Sequence, residues 1–414
     1  MAITSSASSL PIPAAADHHP LPLTVGVLGS GHAGTALAAW FASRHVSTAL
    51  WAPADHPGSI SAMKDNQGVI TTEGVINGPF RVSACDDLAA VIRSSHVLII
   101  VTRADVHDSF VNELANFNGE LEAKDIVVVC GHGFSMKYER QLRCKRIFET
   151  DNSPTTSKLS DKKKCKVNIK EMKTSFGLSC FPVHRNDAGV IDLPEDIKII
   201  FDQLFSARIV PIPPLQVLFF SNYITHAIAA VMNIGRLRDP ANSLTKRAEQ
   251  WLLELDERTP RSEQGFFFYG EGSNTYVCKV QEQVDQERRK VATACGLRLS
   301  SLLQECNDEY GTDYATLREY CLAPSPHNVH YACPENLEHR YFSEELCSLE
   351  DIAAIATVTK IEIPLTRAFI NIIRAGKGNI PPTGISSSVI GNFSFSDLIR
   401  FGATAGSDTY ERVE

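Results

Sequence analysis

The stretch TVGVLGSGHAG, residues 24–34, decides the fold of the first half of the chain. It opens with a short apolar run typical of a buried strand, and the apolar stretch Ala33–Ser43 that follows has the length of a helix. The turn between them fits G-x-G-x-x-G, in which glycines permit the tight turn, the approach of a pyrophosphate and close helix packing. This turn predicts a dinucleotide site with six cofactor contacts, which are Gly29, Ser30, Gly31, His32, Ala33 and Gly34.

Further apolar runs extend this unit into a sheet. Val46–Trp51, His96–Val101 and Ile126–Cys130 lack the alternation of a half-solvated strand, so they are typical of parallel strands covered by helices on both faces. Thr174–Cys180 and Arg208–Ile212 are predicted as late strands. We therefore expect an α/β fold whose N-terminal part, residues 23–212, is a Rossmann-type, doubly wound dinucleotide-binding domain.

The choice between NAD and NADP stays open in the sequence. An acidic residue about 20 positions after the glycines would hold the ribose 2′-hydroxyl, and an arginine would favour a 2′-phosphate. The second strand ends at Trp51, which we predict as a further cofactor contact, and continues Ala-Pro-Ala-Asp55. Neither residue type stands at the expected place.

Composition excludes several classes of protein. The chain has 414 residues, which favours two or three domains, and its net charge of −8 gives no reason to bind nucleic acid. No apolar run approaches the ~18 residues of a membrane span. The 11 cysteines form no CxxC pair or zinc pattern, so free thiols and no metal are predicted. Residues 1–22 are predicted to be a disordered tail without a secretory signal, which favours a cytoplasmic protein.

Proline punctuation marks a domain boundary. Pro211, Pro213 and Pro214 end the strand pattern, and residues 213–414 are predicted to form a mostly α-helical substrate and catalytic domain. The Lys-rich stretch Asp151–Lys173 before the boundary is predicted to be a solvated loop. Six helices are expected: Leu215–Leu237, Ser243–Leu255, Thr275–Cys295, Leu299–Tyr310, Leu349–Val358 and Pro364–Arg374.

The first of these helices carries a polar stripe. Asn222, His226 and Asn233 are spaced i, i+4 and i+11, which places them on one face among apolar neighbours. Buried polar groups need partners, so His226 is either a hydrogen-bonded core histidine or an acid/base facing the coenzyme cleft. In the second case, Asn222 and Asn233 are candidate substrate contacts.

Two charged motifs follow downstream. His339-Arg340-Tyr-Phe-Ser-Glu-Glu345 is typical of a solvated helix start, but Arg340 could hold a carboxylate and a glutamate could orient an imidazole. Asp285 and Arg288 are three residues apart on a predicted helix, which favours a structural ion pair.

Together these motifs resemble the octopine/nopaline dehydrogenase family, the opine dehydrogenases. The resemblance runs from about residue 24 to residue 381. It depends on GSGHAG, the stretch Val167–Pro182, the helix with His226 that ends Asn-x-Gly-Arg, the Thr275 helix with Asp-x-Glu-Arg, and His-Arg-Tyr-x-x-Glu-Glu.

The resemblance implies a reaction and roles. The family condenses an amine or amino acid with a 2-oxo acid and reduces the imine with NAD(P)H. Motif matching puts His226 in the proton-transfer role, Glu345 in the role of its acidic partner and Arg340 at a substrate carboxylate. Three features depart from the family pattern: Ala227 replaces a proline, Glu345 replaces an aspartate, and Val-Thr-Arg-Ala-Asp replaces a small-hydrophobic-Pro-Ala segment after the third strand.

Two other functions stay open at this point. One is an NAD(P)-dependent reductase of ketones or oxo acids with the same two-domain plan, and the other is a non-catalytic dinucleotide-binding protein. The expected partners are small amine and carbonyl substrates, without nucleic acid or membrane, and a homodimer is left open.

Overall fold

The computed structural model describes residues 23–237, 266–323, 334–378 and 386–404, together with 245–248, 250–251 and 254. The predicted tail at 1–22 and much of the predicted helix Ser243–Leu255 lie outside the described residues.

An eight-stranded sheet forms the centre of the first half. Its strands are β1 (Thr24–Leu28), β2 (Ser47–Trp51), β5 (Ser83–Cys85), β6 (Val97–Ile100), β7 (Asp125–Val128), β8 (Arg146–Thr150), β11 (Ser175–Phe181) and β12 (Arg208–Ile212). Their order is β12-β11-β8-β7-β6-β1-β2-β5, and every neighbouring pair is parallel except β8 with β11. The order reverses between β1 and β6, so the crevice at the carboxyl ends of these strands is where a ligand is expected.

Helices cover both faces of this sheet. They are α1 (His32–Ser43), α2 (Ile60–Asp65), α3 (Leu88–Ser94), α4 (His107–Leu114), α5 (Asn118–Leu121), α6 (Phe134–Tyr138) and α7 (Glu195–Leu204). Val25 and Val27 of β1 pack into the core on one face, whereas Leu28 packs into the core on the other. Two-sided burial explains the unbroken apolar runs, and the predicted doubly wound domain is confirmed.

A second sheet corrects the prediction for Asp151–Lys173. This segment forms a hairpin of β9 (Thr155–Asp161) and β10 (Lys166–Met172), which joins β3 (Val69–Gly74) and β4 (Gly78–Arg81) in the order β4-β3-β10-β9. Leu159, Val167 and Ile169 are buried in the same cluster as residues of α1. These three apolar side chains thus anchor the hairpin. The prediction of a solvated loop was wrong because it depended on the many lysines of the segment.

The second half is helical. Its described α-helices are α8 (Pro214–Val217), α9 (Ala229–Met232), α10 (Thr275–Ala294), α11 (Leu302–Tyr310), α12 (Leu317–Leu322), α13 (Glu344–Thr359), α14 (Pro364–Gly376), α15 (Ser386–Gly391) and α16 (Phe395–Arg400). They surround a separate hydrophobic cluster in which Leu349, Ile355 and Phe401 are buried.

The predicted helix Leu215–Leu237 is wrong as a continuous element. It is divided into α8, a π-helical turn at Ile224–Ile228, α9 and a 3₁₀ turn at Ile234–Arg236. Side chains of α10 donate hydrogen bonds to backbone carbonyls that would accept from backbone N–H groups in a regular helix. Arg288 Nη1 donates to the Phe219 oxygen, and Gln281 Nε2 donates to the oxygens of residues 224 and 225. These tertiary hydrogen bonds compensate for the interrupted helical ladder.

Arg288 also forms the ion pair that the sequence predicts. Its guanidinium lies 2.7 Å from Asp285 Oδ1 and 2.7 Å from Glu305 Oε1, with the arginine side chain fully buried. The same guanidinium reaches the Ser300 carbonyl. The pair is therefore part of the frame that positions the segment containing His226.

Candidate active site

His226 and Glu345 form a buried pair from two distant parts of the chain. His226 lies on the π-helical turn, and Glu345 lies in the first turn of α13. His226 Nδ1 is 2.7 Å from Glu345 Oε1, and both residues are buried. A single-turn π-helix is a local irregularity that often occurs at functional sites. The structure thus brings together the two residues for which the sequence predicts a dyad.

Two tyrosines complete the surroundings of the imidazole. Tyr269 Oη lies 2.9 Å from His226 Nε2, and the Tyr341 ring stacks on the imidazole at 4.4 Å with an interplanar angle of 12°. The family motif contains Tyr341, but the sequence analysis did not select Tyr269. Its position directly after three consecutive phenylalanines, of which Phe266 and Phe268 are buried in the helical core, is the only signal in the sequence that marks it.

Burial controls the charge of the pair. Burial lowers the pKa of His226 well below its usual value, and the nearby Arg340 lowers it further. Burial raises the pKa of Glu345, against the opposing effect of Arg340. We therefore assign a neutral imidazole whose Nδ1–H donates to Glu345, which leaves Nε2 as an acceptor for the Tyr269 hydroxyl. Glu345 Oε2 has no hydrogen-bond partner among the described residues.

Arg340 stands at the open side of the dyad. Its Nη1 atom lies 3.5 Å from Glu345 Oε1 and 3.6 Å from Glu344 Oε2, and its guanidinium lies 4.8 Å from the centre of the Tyr341 ring. The side chain keeps 39% of its exposure, so solvent or a ligand can reach it. A guanidinium can bind a carboxylate in a bidentate manner, and this one lies next to the imidazole.

The two asparagines of the predicted stripe differ. Asn222 is half-buried, and its side chain makes no hydrogen bond within the described parts of the chain. Asn233 Nδ2 donates to the carbonyls of Ala229 (2.8 Å) and Gly272 (2.9 Å). Both amide protons of Asn233 are thus used within the protein, and they tie α9 to the turn that carries Tyr269. Asn233 therefore braces this turn, and its substrate contact stays a prediction.

The glycine-rich turn has the shape that a dinucleotide requires. Gly29 has φ +117°, and a Cβ there would lie 2.4 Å from the Val101 carbonyl oxygen. A Cβ at Gly34 would lie 1.8 Å from the Gly29 oxygen, whereas one at Gly31 would meet no atom within 4 Å. Two glycines thus serve packing and the third leaves space beside the N-terminus of α1, where a pyrophosphate would bind.

The other predicted cofactor contacts also have structural partners. Ser30 is buried, and its Oγ donates to the Pro57 carbonyl at 2.7 Å, which holds the loop after β2 against the turn. His32 Nδ1 accepts from the Leu159 backbone N–H at 2.9 Å. Ala33 is half-buried in the first turn of α1. The Trp51 indole is buried and donates to the Asp86 carbonyl at 3.1 Å. The cofactor contact of this residue stays a prediction.

The helical part meets the sheet at its switch point. The loop after β6 lies beside the glycine-rich turn, since Val101 N–H donates to the Leu28 carbonyl. In that loop Ala104 N–H donates to Glu344 Oε1 at 3.1 Å, and Arg103 Nη2 donates to Ser343 Oγ at 3.1 Å. The first turn of α13 therefore presents the dyad to the crevice in which the nicotinamide end of a dinucleotide would lie.

Within the described residues, no group of three or more His, Cys, Asp or Glu side chains could hold a metal ion. No described helix is both long and apolar enough to cross a bilayer. The ten described cysteines are all free.

This fold and site define a class: a dehydrogenase with a Rossmann-type domain and a helical domain that carries the buried pair of His226 and Glu345. A family model for the α-helical domain of NAD/NADP octopine/nopaline dehydrogenase matches residues 214–376. A model for the N-terminus of NAD-dependent glycerol-3-phosphate dehydrogenase matches residues 24–157.

Relatives at high identity identify the family. The chain is 87% identical over 404 residues to D-nopaline dehydrogenase of Agrobacterium vitis, covering 98% of both chains. It is 86% identical over 414 residues to D-nopaline dehydrogenase of Agrobacterium tumefaciens strain T37, covering 100% of both. The chain belongs to the octopine/nopaline dehydrogenase family.

Solved structures agree in fold. Octopine dehydrogenase in complex with NADH and agmatine matches with a TM-score of 0.66 at 14% identity, covering 91% of this chain and 98% of that one. Yersinopine dehydrogenase with NADP⁺ bound matches with a TM-score of 0.60 at 13% identity, covering 89% and 98%.

These findings confirm the predicted family, fold class and enzyme class. The protein is an NAD(P)-dependent oxidoreductase that reduces the imine formed from an amino acid and a 2-oxo acid. NAD or NADP is its cofactor, as predicted, and its substrates are small amines and oxo acids. The alternatives of an amine-independent reductase and of a non-catalytic protein are not supported.

Proposed function

We propose that the chain acts on D-nopaline, as the names of the two relatives at 87% and 86% identity indicate, and that His226 and Glu345 are its acid/base dyad. The observation that carries this assignment is the 2.7 Å contact between His226 Nδ1 and Glu345 Oε1 next to a partly exposed Arg340. A core histidine would not require a buried carboxylate and a solvent-accessible guanidinium beside it.

The proposed mechanism divides the work among three side chains. Arg340 holds the carboxylate of the oxo acid and orients its carbonyl carbon. His226 takes and returns protons at the amine nitrogen and the departing oxygen, and Glu345 keeps its Nδ1 protonated and its ring oriented. A bound reduced nicotinamide supplies the hydride that this chain's residues cannot supply. Asn222 and Asn233 stay predicted substrate contacts.

Three further assignments are part of the proposal. Residues 23–212 and 213–414 form the two functional domains, with the junction between the end of β12 and the start of α8. The free thiols favour a reducing, cytoplasmic location. A homodimer stays a prediction, which light scattering on purified protein would test.

The experiment compares wild type with His226→Asn and His339→Asn. His339 contacts the same Tyr341 ring edge-on at 4.4 Å and caps the 3₁₀ turn, a position that asparagine also fills well. We expect His226→Asn to keep coenzyme binding and lose at least ~10²-fold in kcat, and His339→Asn to keep most activity. Near-normal turnover of His226→Asn would reject the dyad.

The reaction itself is tested separately. NADH and NADPH oxidation is measured with a 2-oxo acid alone, with an amino acid alone and with both, and D-nopaline oxidation is measured in reverse. We expect activity only when both substrates are present, and Arg340→Met should mainly raise the KM for the oxo acid. Failure to oxidise D-nopaline while other opines react would reject the proposed substrate.

A further inference from the structure

Neither nitrogen of His226 is free to meet a substrate. Nδ1 is occupied by Glu345 Oε1 at 2.7 Å, and Nε2 is occupied by Tyr269 Oη at 2.9 Å. One face of the ring is covered by Tyr341 at 4.4 Å. A proton that passes between this imidazole and a substrate must therefore travel through the Tyr269 hydroxyl or wait until that hydroxyl has moved away.

The turn that carries Tyr269 is held in place from several sides. It is a π-helical turn at Phe268–Gly272, and Phe268 is fully buried in the helical core. Arg318 Nη1 donates to the carbonyls of Gly270 (2.7 Å) and Ser273 (2.8 Å), and Asn233 Nδ2 donates to that of Gly272 (2.9 Å). Displacing the hydroxyl by moving this turn would break three hydrogen bonds that lie outside the active site.

The surroundings keep the phenol protonated. Burial raises the pKa of Tyr269 well above its usual value, and the neighbouring Tyr341 raises it further. The charged and titratable groups that influence His226 are Arg340 and Glu344 near the start of α13, and Lys173 and His132 from the first half of the chain. A neutral hydroxyl next to a neutral imidazole can accept one proton and donate another without carrying a net charge.

We propose that Tyr269 is the relay residue of this enzyme: protons pass between His226 Nε2 and the substrate through its phenolic oxygen, along a chain Glu345–His226–Tyr269. This inference deepens the proposed function and rests on the acid/base role of His226. In this proposal Asn233 and Arg318 are positioning residues, because their hydrogen bonds hold the turn that carries Tyr269.

The proton steps balance. The ammonium group of the amino acid gives one proton to Tyr269 Oη while the phenolic proton moves to His226 Nε2, and the freed amine attacks the carbonyl carbon. Transfer of a proton from nitrogen to oxygen within the adduct gives a neutral carbinolamine. The imidazolium then returns its proton through Oη to the carbinolamine hydroxyl, the C–O bond breaks, and water and an iminium ion result. The dyad ends in its starting state.

The test uses Tyr269→Phe, with Tyr223→Phe as the matched control. Tyr223 is buried in the same helical core, and its hydroxyl has no hydrogen-bond partner among the described residues. For Tyr269→Phe we expect kcat to fall by ~10²-fold or more, with coenzyme affinity and thermal stability near wild type. Tyr223→Phe should retain wild-type kinetics.

Two readouts distinguish a relay from a structural contact. The Tyr269 hydroxyl stabilises the neutral imidazole, so its removal should raise the pKa of His226 and shift the acid limb of kcat/KM to higher pH. Replacing Tyr269 by fluorinated tyrosines of increasing acidity should change kcat in a graded manner, because the phenol itself transfers a proton.

Three results would overturn the relay. They are turnover of Tyr269→Phe within about twofold of wild type, a loss of kcat without a shift in the pH profile, or a kcat that does not respond to phenol acidity. If His226→Asn is inactive while Tyr269→Phe is fully active, only the relay fails. If His226→Asn is active, the dyad itself fails.

Discussion

A buried ion pair joins the two halves of the molecule, and its removal should strongly destabilise the protein. Lys137 Nζ on α6 lies 2.6 Å from Asp351 Oδ2 on α13, and the two side chains are 4% and 0% exposed. At this distance an effective dielectric constant of about 20 gives an attraction of ~6 kcal/mol. Desolvation costs several kcal/mol for each ion, so the intact pair is close to neutral in net effect.

Removing one partner has a different result. In Lys137→Met, Asp351 would stay buried without a counter-charge, and its second oxygen already has no hydrogen-bond partner among the described residues. We expect a loss of ~3–5 kcal/mol in the free energy of unfolding, and a similar loss for Asp351→Leu. The double variant Lys137→Met/Asp351→Leu should recover most of this loss, because it leaves no unpaired charge.

Urea unfolding at pH 7 measures all four corners of this cycle. Lys164→Met serves as the control for an exposed pair, since Lys164 Nζ lies 3.8 Å from Asp161 Oδ2 with the two side chains 81% and 36% exposed, and it should cost less than ~1 kcal/mol. The reasoning is refuted if Lys137→Met costs no more than the control, or if the double variant is as unstable as the sum of the single ones.

Two further predictions concern the first domain. Gly31→Ala should leave the free energy of unfolding within ~1 kcal/mol of wild type but weaken coenzyme binding in calorimetry. Gly34→Ala should lower the free energy of unfolding by ~2 kcal/mol or more, because its Cβ would lie 1.8 Å from the Gly29 oxygen, and equal stabilities of the two variants would contradict this. Burial lowers the pKa of His107 to about 3, so between about pH 3 and 6.5 the imidazole is protonated in the unfolded chain but neutral in the folded protein. The free energy of unfolding should therefore decrease as the pH falls below ~6.5, by ~3 kcal/mol at pH 4. His107→Leu should flatten this loss in urea titrations, and an unchanged slope would argue against it.

The sequence predicts the parts of the fold that local patterns determine. The strands β1, β2, β6, β7, β11 and β12 lie within a few residues of their predicted positions. In β1, β6 and β7 the reason is burial on both faces, which gives each strand a run without polar alternation. The glycine-rich turn is predictable for a similar reason: each glycine has its own steric requirement, and the requirement can be recognised in one short segment.

Long-range contacts determine what the sequence analysis missed. The hairpin β9–β10 depends on a surface of α1 more than a hundred residues away, and the helix around His226 is interrupted by side chains of α10. Tyr269 reaches His226 across 43 residues of chain. The proximity of residues 226, 340 and 345 could be predicted only from the family motif, because no local pattern relates positions more than a hundred residues apart.

The attachment of the small sheet to α1 has a consequence for protein engineering. His32, inside the glycine-rich motif, accepts the backbone N–H of Leu159 in the hairpin, and the hairpin's apolar side chains pack on the same helix. The hexapeptide is thus one half of a two-part unit. If residues 24–43 alone were grafted onto another scaffold, His32 Nδ1 would lose its hydrogen-bond donor and α1 would lose the hairpin that packs on it, so a working transplant has to include residues 155–172 as well.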